Sequence, residues 1–325
     1  MGPRSGPVVI DDATPVALLA AGPSALVVGN FDGVHRGHQA VLEQMVADAH
    51  AERLAPSVLT FDPHPASVVG RGTPPLLTTL GRRVELMHEA GVERIFVRRF
   101  DRAFAAWAPE RFVRELVVGA LHARVVIVGD NFRFGAKRAG DLQLLRSLGD
   151  ILGFEARVHP VATDARGPFS STRARDAIAA GDMEEAERVL GRPHEISGVV
   201  VHGAKRGRVL GFPTANVDGV AEMVPPHGIY AVTVDEVDPA GHGTPLAGGV
   251  TSIGVRPTIA SPDPQRTIET FLFDFEGDLY GRRLRLHLVS RLRDELAFAS
   301  LEELTSQIAR DAADARVRLS AARGR

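Results

Sequence analysis

Residues 25–38 read Ala-Leu-Val-Val-Gly-Asn-Phe-Asp-Gly-Val-His-Arg-Gly-His, an apolar run that breaks into a stretch holding three glycines and two histidines. From Gln39 to Leu54 apolar residues then recur three or four apart, so the stretch is a strand-to-helix turn. At such a turn the backbone N–H groups of the new helix face outward with the positive end of its dipole behind them, and a phosphate is the natural guest. Gly33 and Gly37 let the backbone come close to it, and His35 and His38 can donate hydrogen bonds to non-bridging oxygens as charge builds on phosphorus. The spacing is neither that of a dinucleotide fingerprint nor that of a P-loop. Two other readings of the histidine pair stay open: polar residues in a capping turn, or a His-x-x-His metal site.

Working outward, the same alternation continues to about residue 160. Ala25–Gly29, Ser57–Phe61, Arg94–Phe100, Val125–Gly129 and Glu155–Val161 read as strands, with helical periods over Gln39–Leu54, Leu80–Ala90, Pro109–Leu121 and Leu142–Leu152. Strand–helix alternation implies a doubly wound parallel sheet with right-handed crossovers, and ligands bind beyond the carboxyl ends of its strands. Two short helices are expected over 171–190, parted by Gly181-Asp182. From Ile196 to about Arg293 the period changes to short alternating strands (Ser197–Val201, Ile229–Val234, Leu246–Ile253, Thr267–Phe275, Leu284–Val289), the pattern of a small antiparallel barrel. A last helix, Ser300 to about Ala321, carries the stripe Leu301, Leu304, Ile308, Ala312, Ala315 and Leu319 and is expected to pack on the barrel. The domain boundary is placed near 187, giving modules 1–187 and 188–325.

The chain has 325 residues, 44% hydrophobic, which is enough for two cores, and its net charge of −2 argues against a surface built for nucleic acid or an anionic membrane. It has no cysteine, so disulfides, thiolate metal sites and cysteine nucleophiles are excluded, which fits a cytoplasmic protein. The apolar run at Val16 lacks the basic flank of a signal peptide and is broken by Gly22-Pro23, and no run reaches the roughly 18 residues of a membrane span.

Three further segments fall at predicted strand ends or helix starts in the first half: Thr60-Phe-Asp-Pro-His-Pro65, Gly129-Asp-Asn-Phe-Arg-Phe-Gly135 and Ser170-Ser-Thr-Arg173. Asn131 can reach the polar edge of a ring while Phe132 and Phe134 stack. The proline-stiffened Asp62–His64 turn either presents His64 to a ligand or merely ends a strand. Ser171 and Thr172 could also be a simple helix cap. In the second half, Val201 to Asn216 combines Gly203, Gly207 and Gly211 with Lys205 and Arg208, a loop able to wrap phosphates, or else a solvated hairpin. Pro213 fixes the backbone there, and Thr214 with Asn216 puts two oxygen ligands for Mg²⁺ on one face of an extended segment. In Thr267–Phe275, two-residue alternation sets Glu269 on the same face as Phe271, Phe273 and Phe275. A carboxylate among rings suits a general base for a hydroxyl, the other reading being an edge-strand glutamate that reaches solvent or pairs with Arg266 or Arg282.

These segments occur in the order G-N-F-D-G-V-H-x-G-H, T-F-D-P-H-P, N-F-R-F-G, S-S-T-x-x-R (ending at Arg175), G-F-P-T-A-N, P-x-x-G-x-Y-A-V, I-G-x-R-P-T, E-T, D-F-x-G-D-L-Y-G and L-R-x-E-x-x-F-x-S. In this the chain resembles, over nearly its whole length, the bifunctional prokaryotic riboflavin kinase/FAD synthetases. The resemblance implies an N-terminal nucleotidyltransferase-like module that adenylylates FMN to FAD and a C-terminal module that phosphorylates riboflavin, with ATP as co-substrate of both. It assigns His35 and His38 to the ATP phosphates, with Gly29, Phe31, Asp32, Gly33, Gly37 and Asn131 in the same nucleotide and flavin site, and Ser171, Thr172 and Arg173 to the leaving pyrophosphate. In the barrel it implies Gly203, Lys205, Gly207, Arg208 and Pro213 around the nucleotide, Thr214 and Asn216 on Mg²⁺, and Glu269 as base. Phe271 stands where many relatives have histidine, so no helper imidazole is expected, and His287 is expected to be structural. The partners implied are riboflavin, FMN, FAD and ATP, with no nucleic acid and no membrane, and a homo-oligomer is left open. The alternative is a monofunctional FMN adenylyltransferase whose barrel only binds flavin.

Overall fold

Strand β2 (Ser24–Val28) is buried along its whole length and divides its side chains between two cores. Leu26 and Val28 pack with Leu59, Phe96, Val126 and Val128 on one face of a sheet, while Ala25 and Val27 pack with Val58, Ile95, Val97 and Ile127 on the other. The structure is a computed structural model that describes residues 8–10, 22–70, 72–203, 212–256 and 265–323. The chain forms two compact units, residues 1–74 with 80–169 and residues 75–79 with 170–325.

In the first unit, β1 (Val8–Ile10), β2, β3 (Ala55–Asp62), β4 (Arg94–Arg99), β5 (Ala123–Gly129) and β6 (Glu155–His159) form one parallel sheet in the order β1-β4-β3-β2-β5-β6. The helices Arg36–Ala51 and Leu80–Glu89 cover one face through Leu42, Met45, Val84 and Met87. Phe112, Leu116, Leu145 and Leu148 cover the other from the segment Phe112–Ala120 and the helix Leu142–Leu152. This is the doubly wound parallel sheet the sequence predicts, with β1 as an added edge strand. The strand order reverses between β2 and β5, so the turns after these two strands open the crevice where such sheets bind ligands. The expected Pro109–Leu121 helix is only briefly α-helical: from Phe112 to Ala120 it widens to π-helical bonding, and Leu121 N–H reaches back to Leu116 O at 2.9 Å. A short hairpin of β7 (Thr163–Asp164) and β8 (Gly167–Pro168) follows β6.

The second unit begins with the helices Ser171–Ala180 and Met183–Leu190, capped by the Ser170 and Asp182 side chains and ended by left-handed Gly181 and Gly191. Strands β9 (His194–Val201), β10 (Thr214–Asp218), β11 (Gly228–Val237), β12 (Gly243–Arg256), β13 (Gln265–Leu272) and β14 (Arg283–Arg293) then close a six-stranded antiparallel barrel in the order β10-β13-β12-β11-β14-β9. The helix Leu301–Arg323 lies on its outside, with Ala315 and Leu319 packed against Phe273, Ala231 and Val289. The expected stripe is truncated at its start, since Leu301 is 68% exposed. Strand β13 also stops at Leu272 because Asp274 takes a left-handed backbone, φ 54°, so Phe275 is not carried by the strand's alternation as the sequence suggested. Among the described residues, no helix is long and apolar enough to cross a membrane.

His287 on β14 is a fixed cation of the barrel's outer face. Burial opposes its protonation, but Asp235 Oδ2 at 2.8 Å and Glu195 Oε1 at 3.3 Å outweigh that and raise its pKa to about 9. Because the folded value lies above the unfolded one, near 6.5, the contribution is complete below pH 6.5 and is lost as pH rises through 9. The shift corresponds to about 3 kcal/mol at most. The barrel transition in urea melts is therefore expected to weaken between pH 7 and 10, and His287→Gln is expected to remove that slope.

Candidate functional site

The turn after β2 is strained in a way the sequence only hints at. Gly33 is left-handed (φ 86°), and so are Phe31 (φ 53°) and the β-branched Val34 (φ 38°), a cost of roughly 1–3 kcal/mol each that persists at functional turns. Both residues are almost wholly buried, and their burial holds the turn in place. The turn delivers His35 to the N-cap of the helix Arg36–Ala51, where its Nδ1 accepts the His38 N–H at 3.3 Å. The proton of neutral His35 then sits on Nε2. The two imidazoles stack with centroids 3.7 Å apart and 21° between planes, and His38 also meets the Phe31 ring at 5.0 Å. Gly37 is required here because a Cβ would come within 3.1 Å of both His35 Nδ1 and Phe169 O.

Stacked rings do not converge on one ion, and among the described residues no group of three or more histidine and acidic side chains could hold a metal. The capping reading of the pair is half right: His35 caps the helix, whereas His38 is half-buried in its first turn with its Nδ1 atom buried and unpartnered. Burial, the neighbouring His35 and the charge of Arg83 all depress the His38 pKa well below 6.5, so the ring is neutral at physiological pH.

Beside this turn lies a cavity of about 800 Å³, within the usual range for small-molecule sites. Gly29, Asn131, Phe132 and Phe134 line it, as does His64, whose Nδ1 caps a short helix and whose Nε2 lies 3.3 Å from the Asn30 amide nitrogen. Its apolar wall is Phe61, Phe100, Phe104 and Trp107, with the buried Arg98 guanidinium 4.4 Å from the Phe104 centroid. Phe132 and Phe134 stack on each other at 5.4 Å. Phe31, Asp32, Gly33, His35, Gly37 and His38 are not among the lining residues, although Gly29 and Asn30 join their turn to the cavity. The aromatic wall is the part sequence reasoning missed, because Phe100, Phe104 and Trp107 look like ordinary core residues until β4 is paired.

In the second unit, Ser170 fills the cap, accepting the Arg173 N–H, and Ser171 and Thr172 occupy the first turn, so the capping alternative for those two is not taken. The Arg173 guanidinium pairs with Glu185 Oε1 at 2.6 Å, and Arg175 Nε donates to Pro75 O at 2.8 Å.

On the barrel, β13 pairs with β10 so that Asn216 stands directly opposite Glu269 and Thr214 opposite Phe271. Ala215, Val217, Ile268 and Thr270 point to the buried interior, which leaves Thr214, Asn216, Glu269 and Phe271 together on the outer face. β13 is not an edge strand, since β12 pairs its other side, so the alternative reading of Glu269 loses its edge. Phe271 replaces a helper imidazole with packing: its ring meets Phe212 at 5.2 Å and Phe273 at 5.8 Å, which anchors the Phe212-Pro213-Thr214 approach. A Cβ on Gly203 would fall on the Asn216 amide, so glycine is needed for the backbone to pass over that side chain. Lys205, Gly207 and Arg208 lie outside the described residues.

The comparisons with known proteins match the two halves of the chain separately. A FAD synthetase family model matches residues 19–173 and a riboflavin kinase family model matches residues 190–319. The chain is 41% identical over 292 residues to the bifunctional riboflavin kinase/FMN adenylyltransferase of Escherichia coli K12, covering 90% of this chain and 91% of that protein. The protein of the same description from Bacillus subtilis is 36% identical over 90% of this chain and 91% of its own. A crystal structure described as a macrolide-efflux protein from Streptococcus pneumoniae is 28% identical with a TM-score of 0.82, over 94% of this chain and 96% of that one. With matching family models over both halves and relatives of this identity along nine-tenths of its length, the chain belongs to the family of bifunctional riboflavin kinase/FMN adenylyltransferases.

Proposed function

We propose that the two modules, 1–187 and 188–325, catalyse consecutive steps of flavin cofactor synthesis. The barrel module transfers the γ-phosphoryl group of ATP to the 5′-hydroxyl of riboflavin, giving FMN and ADP. The parallel-sheet module joins the adenylyl group of a second ATP to the FMN phosphate, giving FAD and pyrophosphate. The observation that carries the reading is the cross-strand pairing of Glu269 with Asn216, because it sets a carboxylate next to two hard oxygen donors on one accessible face. A barrel that only bound flavin would need no such set.

In the kinase step Glu269 takes the proton of the attacking hydroxyl, and the rest of the work is positioning and charge neutralisation. The Thr214 hydroxyl and Asn216 amide oxygen fit a hard divalent cation that keeps several waters, so these residues would hold Mg²⁺ with the nucleotide, whose phosphate charge it neutralises. Gly203 and Pro213 flank the segment 204–211, whose Lys205, Gly207 and Arg208 would contact the nucleotide phosphates.

In the adenylyl step the FMN phosphate oxygen bonds to the α-phosphorus as the bond to pyrophosphate breaks, with no enzyme-bound intermediate. His35 and His38 stabilise the crowded phosphorus, and the turn Gly29–Gly37, with Phe31 and Asp32 at its core, cradles the nucleotide. The aromatic cavity holds the flavin ring, Asn131 and His64 touch its polar edge, and Ser171, Thr172 and Arg173 receive the pyrophosphate. The Arg173–Glu185 pair keeps that guanidinium fixed in place. The enzyme is cytoplasmic, and its partners are small molecules.

The test is a time course of purified protein with riboflavin, ATP and MgCl₂, separating flavins by chromatography. FMN is expected to appear first and FAD after a lag, with EDTA stopping FMN formation. FAD formed from added FMN, but never from riboflavin, would replace this reading with the monofunctional one.

A further inference from the structure

Arg83, on the helix Leu80–Glu89, is only 3% exposed, yet it belongs to none of the motifs that carry the family resemblance. Its Nη1 donates to Asn30 O at 2.9 Å and lies 3.4 Å from Phe61 O and 3.5 Å from Thr60 Oγ1, while the Thr60 hydroxyl donates to the same Asn30 O at 3.1 Å. One guanidinium therefore grips the carboxyl ends of both β2 and β3. Asn30 opens the turn that carries Phe31, Asp32 and the histidine pair. Phe61 leads through Asp62 to His64, which returns to the Asn30 side chain. Arg83 Nε and His38 Nδ1 are both buried without a protein partner.

We infer that Arg83 is a positioning residue of the adenylyl-transfer site, holding the histidine turn and the His64 turn in one fixed register and supplying the buried positive charge beside His38. The inference rests on the reading that this turn serves adenylyl transfer. The groups that face His38 are His35 from its own helix and Arg83 from the neighbouring one, and Asp32 and Asp62 in turn face Arg83. The carboxylates compensate part of the guanidinium's burial and keep it charged. All of these contacts are made by the one nitrogen Nη1, so a lysine can supply the charge and part of the hydrogen bonding but not the planar guanidinium that arginine packs here.

The experiment compares Arg83→Met and Arg83→Lys with His38→Ala in the full chain, measuring FAD formation from FMN across pH 5–9, with FMN formation and thermal midpoints alongside. Arg83→Met is expected to lower kcat for FAD formation roughly 100-fold, a size typical of lost preorganisation. It is also expected to move the acid limb of kcat/KM to higher pH, because His38 gains a proton more easily once the neighbouring charge is gone, while FMN formation stays unchanged. Arg83→Lys is expected to keep the acid limb where the wild type has it and to recover only part of the rate, and it carries the test if the methionine variant does not fold. A folded Arg83→Met with wild-type rate, or either variant with a reduced rate and an acid limb opposite to that stated, overturns the inference. If His38→Ala itself leaves FAD formation intact, the underlying assignment of the histidines falls instead.

Discussion

Replacing Glu269 by alanine abolishes FMN formation, by about 10³-fold, and leaves the conversion of FMN into FAD within twofold of the wild type. The size follows from its role: a positioned general base contributes typically 10²–10⁴-fold, and the residue that faces Asn216 from the other neighbouring strand, Val201, is apolar. Phe271 is the next residue on that face, and it is apolar. Glu269 points away from the interior, where Ile268, Thr270 and Leu272 fill the barrel and the Thr251 and Thr270 hydroxyls meet at 2.9 Å. The thermal midpoint is thus expected to stay near that of the wild type. Glu269→Gln, which preserves shape and one acceptor but cannot take a proton, is expected to be as inactive as the alanine variant. Riboflavin with ATP, and separately FMN with ATP, each followed by chromatography of the flavins, check both halves of the statement. Loss of FAD formation in a folded Glu269→Ala protein would mean the two reactions share a site.

The strands and helices of both units were legible because their periods are strong. β2, β3 and β5 are apolar on both faces and bounded by glycine or proline, and the barrel strands alternate. The local errors come from single-residue backbone events that periodicity does not encode. Asp274 turns left-handed and removes Phe275 from the face of Glu269, and the ladder from Phe112 slips to π-helical bonding, where a Cβ on Gly119 would approach Arg114 O at 2.8 Å. Strand β1 is three residues long, too short to show any period. The histidine turn and the Thr214–Asn216–Glu269 set were readable because their residue types are costly to place without a use. Arg83 was not readable. An arginine on an amphipathic helix looks like a solvated one, and only the folded sheet brings Asn30 O and Phe61 O within its reach.

His38→Ala is expected to reverse the pattern: FAD formation falls about 10²- to 10³-fold, and FMN formation is unchanged. His38 stacks on His35 and meets the Phe31 ring, and it is kept neutral by desolvation, His35 and Arg83. A neutral imidazole whose orientation is fixed before substrate binds costs no reorganisation as negative charge builds on the non-bridging oxygens, which is where preorganised donors act most strongly. The same environment sets the pH dependence. Because the pKa of His38 is depressed, protonation begins only well below 6.5, and wild-type FAD formation is expected to hold its rate at pH 6.5 and to fall at lower pH. His38→Asn keeps a donor but loses the stacking on His35, and is expected to lie between alanine and wild type. The change also leaves a cavity beside Phe31, so thermal midpoints are measured with the rates, and the unchanged kinase activity reports directly on the integrity of the barrel unit. Full FAD formation by a folded His38→Ala protein would show that the cradle of backbone N–H groups at the strained turn suffices for the phosphates, and that the imidazole is there to hold Phe31 and Val34 in their left-handed conformations.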